Sequence, residues 1–179
     1  MREKITLPGI GGSGPEHWQT LWEISEPEIR RFSPSSWLEP DLDDWMAALD
    51  RAVEAAKEPP ILVAHSLACL MIAHWAATPR KPIAGAFLVA PPDPNGPAFP
   101  AKLAAGFMNP PLTPLPFPAL MIASSDDPYG SADYARGLAA SWRSSIIEVG
   151  PLGHINSASG LGAWPTGLSL LIAFDAGIA

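Results

Sequence analysis

Ile61-Leu62-Val63-Ala64-His65-Ser66-Leu67-Ala68 is the stretch on which the reading of this chain turns. A continuous apolar run of the kind that forms a buried strand ends in a serine. A helix-forming run, Leu67 to Ala77, begins at the next residue. A polar side chain at such a sharp strand-to-helix turn has the setting of a nucleophile elbow. There the hydroxyl stands out at the top of a parallel sheet, and the helix start turns its free N–H groups toward the same point. So tight a turn demands small residues two before and two after the serine. The usual Gly-x-Ser-x-Gly is here Ala64-His65-Ser66-Leu67-Ala68, one methyl larger on each side.

A serine hydroxyl is a poor nucleophile at neutral pH and needs a base, which in turn needs an orienting carboxylate. At an elbow of this type the chain order is serine, acid, histidine. Of the four histidines, His17, His65, His74 and His154, only His154 lies well downstream of Ser66. It sits in the loop Gly150-Pro151-Leu152-Gly153-His154, after the strand-like Ile146 to Val149. The acid belongs after another strand. Ala119 to Ala123 is such a run, and Ser124-Ser125-Asp126-Asp127-Pro128-Tyr129 follows it. Asp126 and Asp127 compete for the role, and Pro128, which fixes the turn, favours Asp127.

An oxyanion hole takes two backbone N–H groups. Leu67, the residue after the serine, is the first candidate. The second is Ile10, in the loop Pro8-Gly9-Ile10-Gly11-Gly12-Ser13-Gly14-Pro15 after the first strand; glycines there let backbone approach a reacting carbonyl closely. These glycines do not form Gly-x-Gly-x-x-Gly and no Gly-Lys-Ser/Thr follows, which argues against nucleotide binding.

Other conspicuous residues read more plainly. His65 supports the elbow, with its side chain expected to point away from the base. Trp18 is a packing anchor, His17 a candidate for the cleft lining, and His74 a structural histidine on the next helix. Cys69, the only cysteine, falls on an apolar helix and reads as a small buried hydrophobe. It allows no disulfide within the chain.

Strands are expected at 4–7, 28–32, 60–65, 83–89, 119–123 and 145–149, and helices at 16–23, 41–57, 67–77, 131–142 and 161–175. Asp41 is a suitable N-cap, with Asp43 and Asp44 in the first turn. Leu42, Trp45, Met46, Leu49 and Val53 recur at helical spacing. The alternation implies βαβ units around a parallel sheet buried on both faces. The segment 91–118 holds ten of the 22 prolines, so no long helix fits there. It leaves the carboxyl edge of the sheet, where ligands bind in open α/β folds, and is expected to wall the cleft. A short helix is expected around Ala101–Gly106. Phe99, Phe107 and Met108 are candidates for an apolar substrate pocket. No insertion is large enough for a lid, so small substrates are expected.

The 179 residues suffice for a single domain over 1–179. A net charge of −7 and the lack of clustered lysine and arginine argue against a nucleic-acid partner. No apolar run reaches the roughly 18–20 residues of a membrane span. Met1-Arg2-Glu3-Lys4 leads straight into a strand without a signal-peptide pattern, and a cytoplasmic location is the expectation.

Taken together, the chain resembles a small serine-hydrolase family of the α/β-hydrolase fold, that of retinoblastoma-binding protein 9 and the bacterial YdeN-type proteins. The likeness spans nearly the whole chain. It rests on Pro8-Gly9, then Gly14-Pro15-Glu16-His17-Trp18-Gln19, Trp37, Pro40, Trp45, His65-Ser66, Asp126-Asp127-Pro128-Tyr129 and Gly153-His154-Ile155-Asn156. It implies a mostly parallel sheet of about six strands with helices on both faces and no separate lid domain. It also implies Ser66 as nucleophile, Asp127 as acid and His154 as base, in agreement with the residues read alone; the expectation is a serine hydrolase without metal or cofactor acting on a small ester, or second to that an amide. The chain departs from the pattern at Ala64 and Ala68, which replace glycines; the Ala68 methyl is expected to crowd the turn and lower activity. The alternative is a binding module that keeps the fold but little of the chemistry. A Leu-x-Cys-x-Glu peptide would favour it, but the nearest match, Leu67-Ala68-Cys69-Leu70-Met71, lacks the glutamate.

Overall fold

The computed structural model describes residues 2–78 and 80–178. Six strands form one sheet: β1 (Lys4–Leu7), β2 (Ile29–Arg31), β3 (Ile61–His65), β4 (Gly85–Val89), β5 (Ala119–Ala123) and β6 (Ser145–Glu148). Five α-helices separate or follow them: α1 (Trp18–Ser25), α2 (Leu42–Glu54), α3 (Leu67–Ala76), α4 (Ala132–Trp142) and α5 (Pro165–Gly177). The spatial order is β2-β1-β3-β4-β5-β6, and every neighbouring pair is parallel. This is an α/β-hydrolase fold.

The apolar strand runs divide by alternation between two layers. Leu62, Ala64, Leu88 and Met121 join a core with α2, α3 and α4. Ile61, Val63, Phe87, Val89 and Ile122 join another with Trp18 and Trp22 of α1 and Leu171 of α5. Both sheet faces are therefore covered, as continuous apolar strands require. The chain leaves β1 toward one edge of the sheet and leaves β3 toward the other. Their following loops diverge, which opens a crevice at the carboxyl ends of these two strands.

Element ends differ from expectation where caps decide them. Asp41 caps α2 by accepting from the Asp44 amide, but that helix stops at Glu54, three residues short of 57. The last helix starts at Pro165 and not at 161, because Trp164 is left-handed and Pro165 occupies the first turn. Within 91–118, the short helix expected at 101–106 is a turn followed by a 3₁₀ turn, Ala105–Phe107. Among the described residues, no helix is long and apolar enough to cross a membrane.

Candidate active site

Ser66 follows β3 directly and adopts φ 55°, ψ −125°. Such a conformation costs a non-glycine residue about 1–3 kcal/mol and persists only where the surroundings fix it. Here the surroundings do so. The Ser66 amide continues the ladder by donating to the Val89 carbonyl (2.9 Å). Ala64 and Ala68, fully buried, flank the turn, so it forms with both methyls in place. The Ser66 side chain does not cap α3. The first amides of that helix have no intrahelical acceptor and are left for another oxygen.

The Ser66 hydroxyl lies 2.8 Å from His154 Nε2. On the far side of the ring, His154 Nδ1 lies 2.9 and 2.8 Å from the two carboxylate oxygens of Asp127. The carboxylate also accepts from the Tyr129 amide (2.9 Å). The Tyr129 ring packs against the imidazole, with centroids 4.5 Å apart. The structure thus brings Ser66, His154 and Asp127 into one hydrogen-bonded row, drawn from the ends of β3, β6 and β5.

Asp126 is not in that row. Its carboxylate accepts from Ser124 Oγ (2.8 Å) and from the Gly153 amide (2.7 Å). These bonds hold its pKa below the usual carboxylate value. The adjacent aspartates therefore divide the work: one meets the imidazole and the other fastens the loop that carries it. Ser124 Oγ adds to this by accepting from the Leu152 amide (2.9 Å).

His65 departs from expectation. Its ring does not point away from the base: Nε2 lies 2.9 Å from the His154 carbonyl, and the ring centroids are 5.0 Å apart. A carbonyl only accepts, so Nε2 carries the proton. Burial first, and then His154 and His17, hold the His65 pKa well below that of a free histidine. Trp18 acts one residue further on, donating from Nε1 to the Ile155 carbonyl (2.8 Å). Ser124, Asp126, His65 and Trp18 all position the His154 loop, a role the sequence reading gave to none of them. Ser124, His65 and Trp18 carry polar atoms on buried side chains beside the motif, whereas Asp126 is exposed and its role shows only in its hydrogen bonds.

The glycine-rich loop is tied down from outside. Arg31 donates to the Gly12 and Ser13 carbonyls (2.6 and 3.3 Å), and the Gly11 amide donates to the Trp37 carbonyl (3.0 Å). Buried Gln19 accepts from Ser13 Oγ (2.7 Å) and donates to the Val63 carbonyl of β3 (3.0 Å). Gly9 is pressed against the elbow: a Cβ there would lie 2.9 Å from Ser66 Cβ and 3.2 Å from the His65 carbonyl oxygen. Ile10, the next residue, lines the cleft beside Ser66 and Leu67.

The cleft has a volume of about 580 Å³. His17 lines it, as do Pro92, Phe99, Pro100 and Leu103 from the proline-rich segment. Phe107 and Met108, expected in the substrate pocket, do not line it. Phe107 is fully buried and packs edge-on against Trp45 at 5.3 Å, and Met108 packs against the same core. The 3₁₀ turn swings both inward, while His74 Nε2 meets the Phe107 carbonyl at 3.4 Å. Phe99 and Leu103 provide the apolar wall in their place. Leu67 to Met71 is buried within α3, so the partial Leu-x-Cys match presents no peptide at the surface. Cys69 is likewise buried, and burial pushes its thiol pKa far up.

Sheet order, elbow and cleft together define an α/β-hydrolase. The chain belongs to the serine hydrolase family, whose model matches residues 4–173. Among solved structures it is similar to a YdeN-like hydrolase from Pectobacterium atrosepticum. The two share 33% identity over 99% of this chain and 92% of the other, with a TM-score of 0.88. It is also similar to the ydeN gene product of B. subtilis, at 21% identity over 98% of this chain and all of the other, TM-score 0.81. At 12% identity the likeness to Est1E from Butyrivibrio proteoclasticus is one of fold, over 98% of this chain and 88% of the other, TM-score 0.68. None of the curated proteins matches the chain.

Proposed function

We propose that this serine hydrolase, a single domain over 1–179, cleaves small carboxylic esters through an acyl-enzyme formed on Ser66. The observation that carries the reading is the hydrogen-bonded row Ser66–His154–Asp127 at the edge of a cleft. His154 Nε2 takes the proton as Ser66 Oγ attacks the carbonyl carbon. Asp127 holds Nδ1–H, fixing the tautomer and stabilising the imidazolium. The carbonyl oxygen becomes an oxyanion held by the amides of Leu67 and Ile10. The uncapped start of α3 and the close approach of Gly9 to the elbow support that assignment. His154 then returns its proton to the departing alkoxide. Water enters, again deprotonated by His154, and frees the acid.

The cleft supports a small, largely apolar substrate. Phe99 and Leu103 offer apolar surface in the cleft that the glycine-rich loop also lines, and about 580 Å³ holds a short acyl chain with a modest alcohol. Esters are the easier substrates, because an alkoxide departs more readily than an amide anion and the ester carbonyl is less stabilised by resonance.

The test joins a fluorophosphonate probe with short-chain p-nitrophenyl esters. Wild-type protein is expected to be labelled on Ser66 and to turn the esters over, and Ser66→Ala to lose both. Folded wild-type protein that neither reacts nor turns over any ester of the panel would refute the proposal.

A further inference from the structure

The hydrolytic reading leaves one polar atom on a residue of the cleft lining without a partner. His17 is 4% exposed and caps α1: its Nδ1 lies 3.2 Å from the Gln19 amide. A backbone N–H only donates, so Nδ1 must be the bare nitrogen. The proton of the neutral ring therefore sits on Nε2. That atom is buried and, among the described residues, has no hydrogen-bond partner. Burial, then Arg31 and then His154 lower the His17 pKa to about 4, so the ring is uncharged at neutral pH.

A buried donor left unpaired costs about 1–3 kcal/mol. A merely structural cap would not need it, because aspartate or serine caps a helix as well or better and carries no side-chain N–H. The ring lines the same cleft as Ser66 and His154. It packs on His65 with centroids 4.8 Å apart, and His65 in turn packs on His154 at 5.0 Å. The His17 ring is thus two ring contacts from the base, at the point where the glycine-rich loop enters α1.

We infer that His17 is a substrate-binding residue whose Nε2–H donates to an uncharged oxygen on the ester, away from the scissile carbonyl. The preferred substrates are then oxygenated esters, bearing a hydroxyl, carbonyl or ether oxygen, and not plain alkyl esters. A neutral donor suits such an oxygen; a carboxylate would instead call for a cation. The inference rests on the proposed hydrolytic site and adds the class of ester it prefers.

Two variants separate the donor from the cap. His17→Asn keeps an oxygen for the Gln19 amide and deletes the Nε2–H. His17→Gln can carry an N–H toward the same place and weakens the cap. The panel is ethyl butyrate, ethyl 2-hydroxybutyrate, ethyl 3-hydroxybutyrate and 2-methoxyethyl butyrate. With wild type, at least one oxygenated ester is expected to exceed ethyl butyrate in kcat/KM by about tenfold, the range expected for one buried hydrogen bond. That ratio should fall to about one in His17→Asn, whose melting temperature stays near wild type, and return in part in His17→Gln. The same esters are titrated into ¹⁵N-histidine-labelled Ser66→Ala protein, which reports the His17 ring without turnover. A selective shift of that resonance with the oxygenated esters supports the inference even if wild type hydrolyses nothing, an outcome that would sink only the hydrolytic reading. Turnover or binding with no preference among the four esters, or a preference that survives in His17→Asn, overturns it.

Discussion

Gly9→Ala is the sharpest perturbation the site offers, because it leaves Ser66, His154 and Asp127 chemically intact. The new methyl would stand 2.9 Å from Ser66 Cβ, 3.2 Å from the His65 carbonyl oxygen and 3.4 Å from the Leu67 amide nitrogen. Ordinary carbon contacts are about 3.5–4.0 Å, so something must move by roughly half an ångström or more. The elbow side cannot readily do so. β3 is paired on both edges, and residues Ile61 to Ala64 are fully buried. The loop therefore retreats, and with it the Ile10 amide that completes the proposed oxyanion hole. Losing one such donor costs about 10²–10³ in kcat. Overpacking a tight contact costs about 1–3 kcal/mol of stability. For a domain of this size that is a drop in melting temperature of roughly 2–12 °C. The assay is kcat and KM on p-nitrophenyl butyrate, with a thermal melt to show the fold is retained. A folded Gly9→Ala protein with kcat within about threefold of wild type would refute the placement of the loop amide in the reaction.

Acid sensitivity should be traceable to the buried histidines. His17 titrates near 6.5 in the unfolded chain and at about 4 when folded, so the native state refuses a proton the unfolded state accepts. Its contribution is complete above about pH 6.5 and is lost as pH falls toward 4, where it levels off; the loss amounts to about 3 kcal/mol. His65, also lowered, adds loss in the same direction. Urea denaturation from pH 7.5 to 4 should therefore show a shallower decline for His17→Asn than for wild type, and parallel declines would contradict the assignment. The two aspartates should separate by kind. Asp127→Asn is expected to lower kcat about 10⁴-fold by orienting the wrong tautomer. Asp126→Ala, which loosens the Gly153 anchor and frees the Ser124 hydroxyl but leaves the imidazole its carboxylate, should cost about tenfold, the low end of what supporting contacts of metal-bound histidines are worth. Equal effects of the two on p-nitrophenyl butyrate turnover would count against that division.

Much of this arrangement is legible in the sequence. Apolar strand runs, the Asp41 cap and the run from Val63 through Ser66 into Leu67 each follow from local chemistry, and each falls within a few residues of its place. Order along the chain singled out His154, because only one histidine lay past the strand that precedes the acid. Phe107 and Met108 escaped for a definite reason. Proline excludes a helix but does not say which way a short turn faces. The side of Phe107 was decided by its fit against Trp45, a contact 62 residues away in sequence. His65 escaped for a related reason. Strand alternation directs a side chain only relative to its own sheet, while the carbonyl that His65 meets belongs to a loop 89 residues later.

The fastening of that loop explains why so small a protein can hold its base in place. His154 lies in a segment with left-handed residues on both sides, Gly153 at φ 57° and Ile155 at φ 47°. Backbone of this kind is not self-supporting, and strain persists only where the environment over-determines it. Three consecutive residues are each held by a different side chain: Asp126 takes the Gly153 amide, His65 donates to the His154 carbonyl, and Trp18 donates to the Ile155 carbonyl. The anchors come from the loop after β5, the end of β3 and the start of α1. Freedom of the imidazole therefore requires loosening two strand ends and a helix at once. This also accounts for a histidine before the nucleophile, where only smallness of the flanking pair is required by the turn. A leucine at position 65 could fill the volume, but it would leave the His154 carbonyl without its donor and allow the base to drift from Ser66.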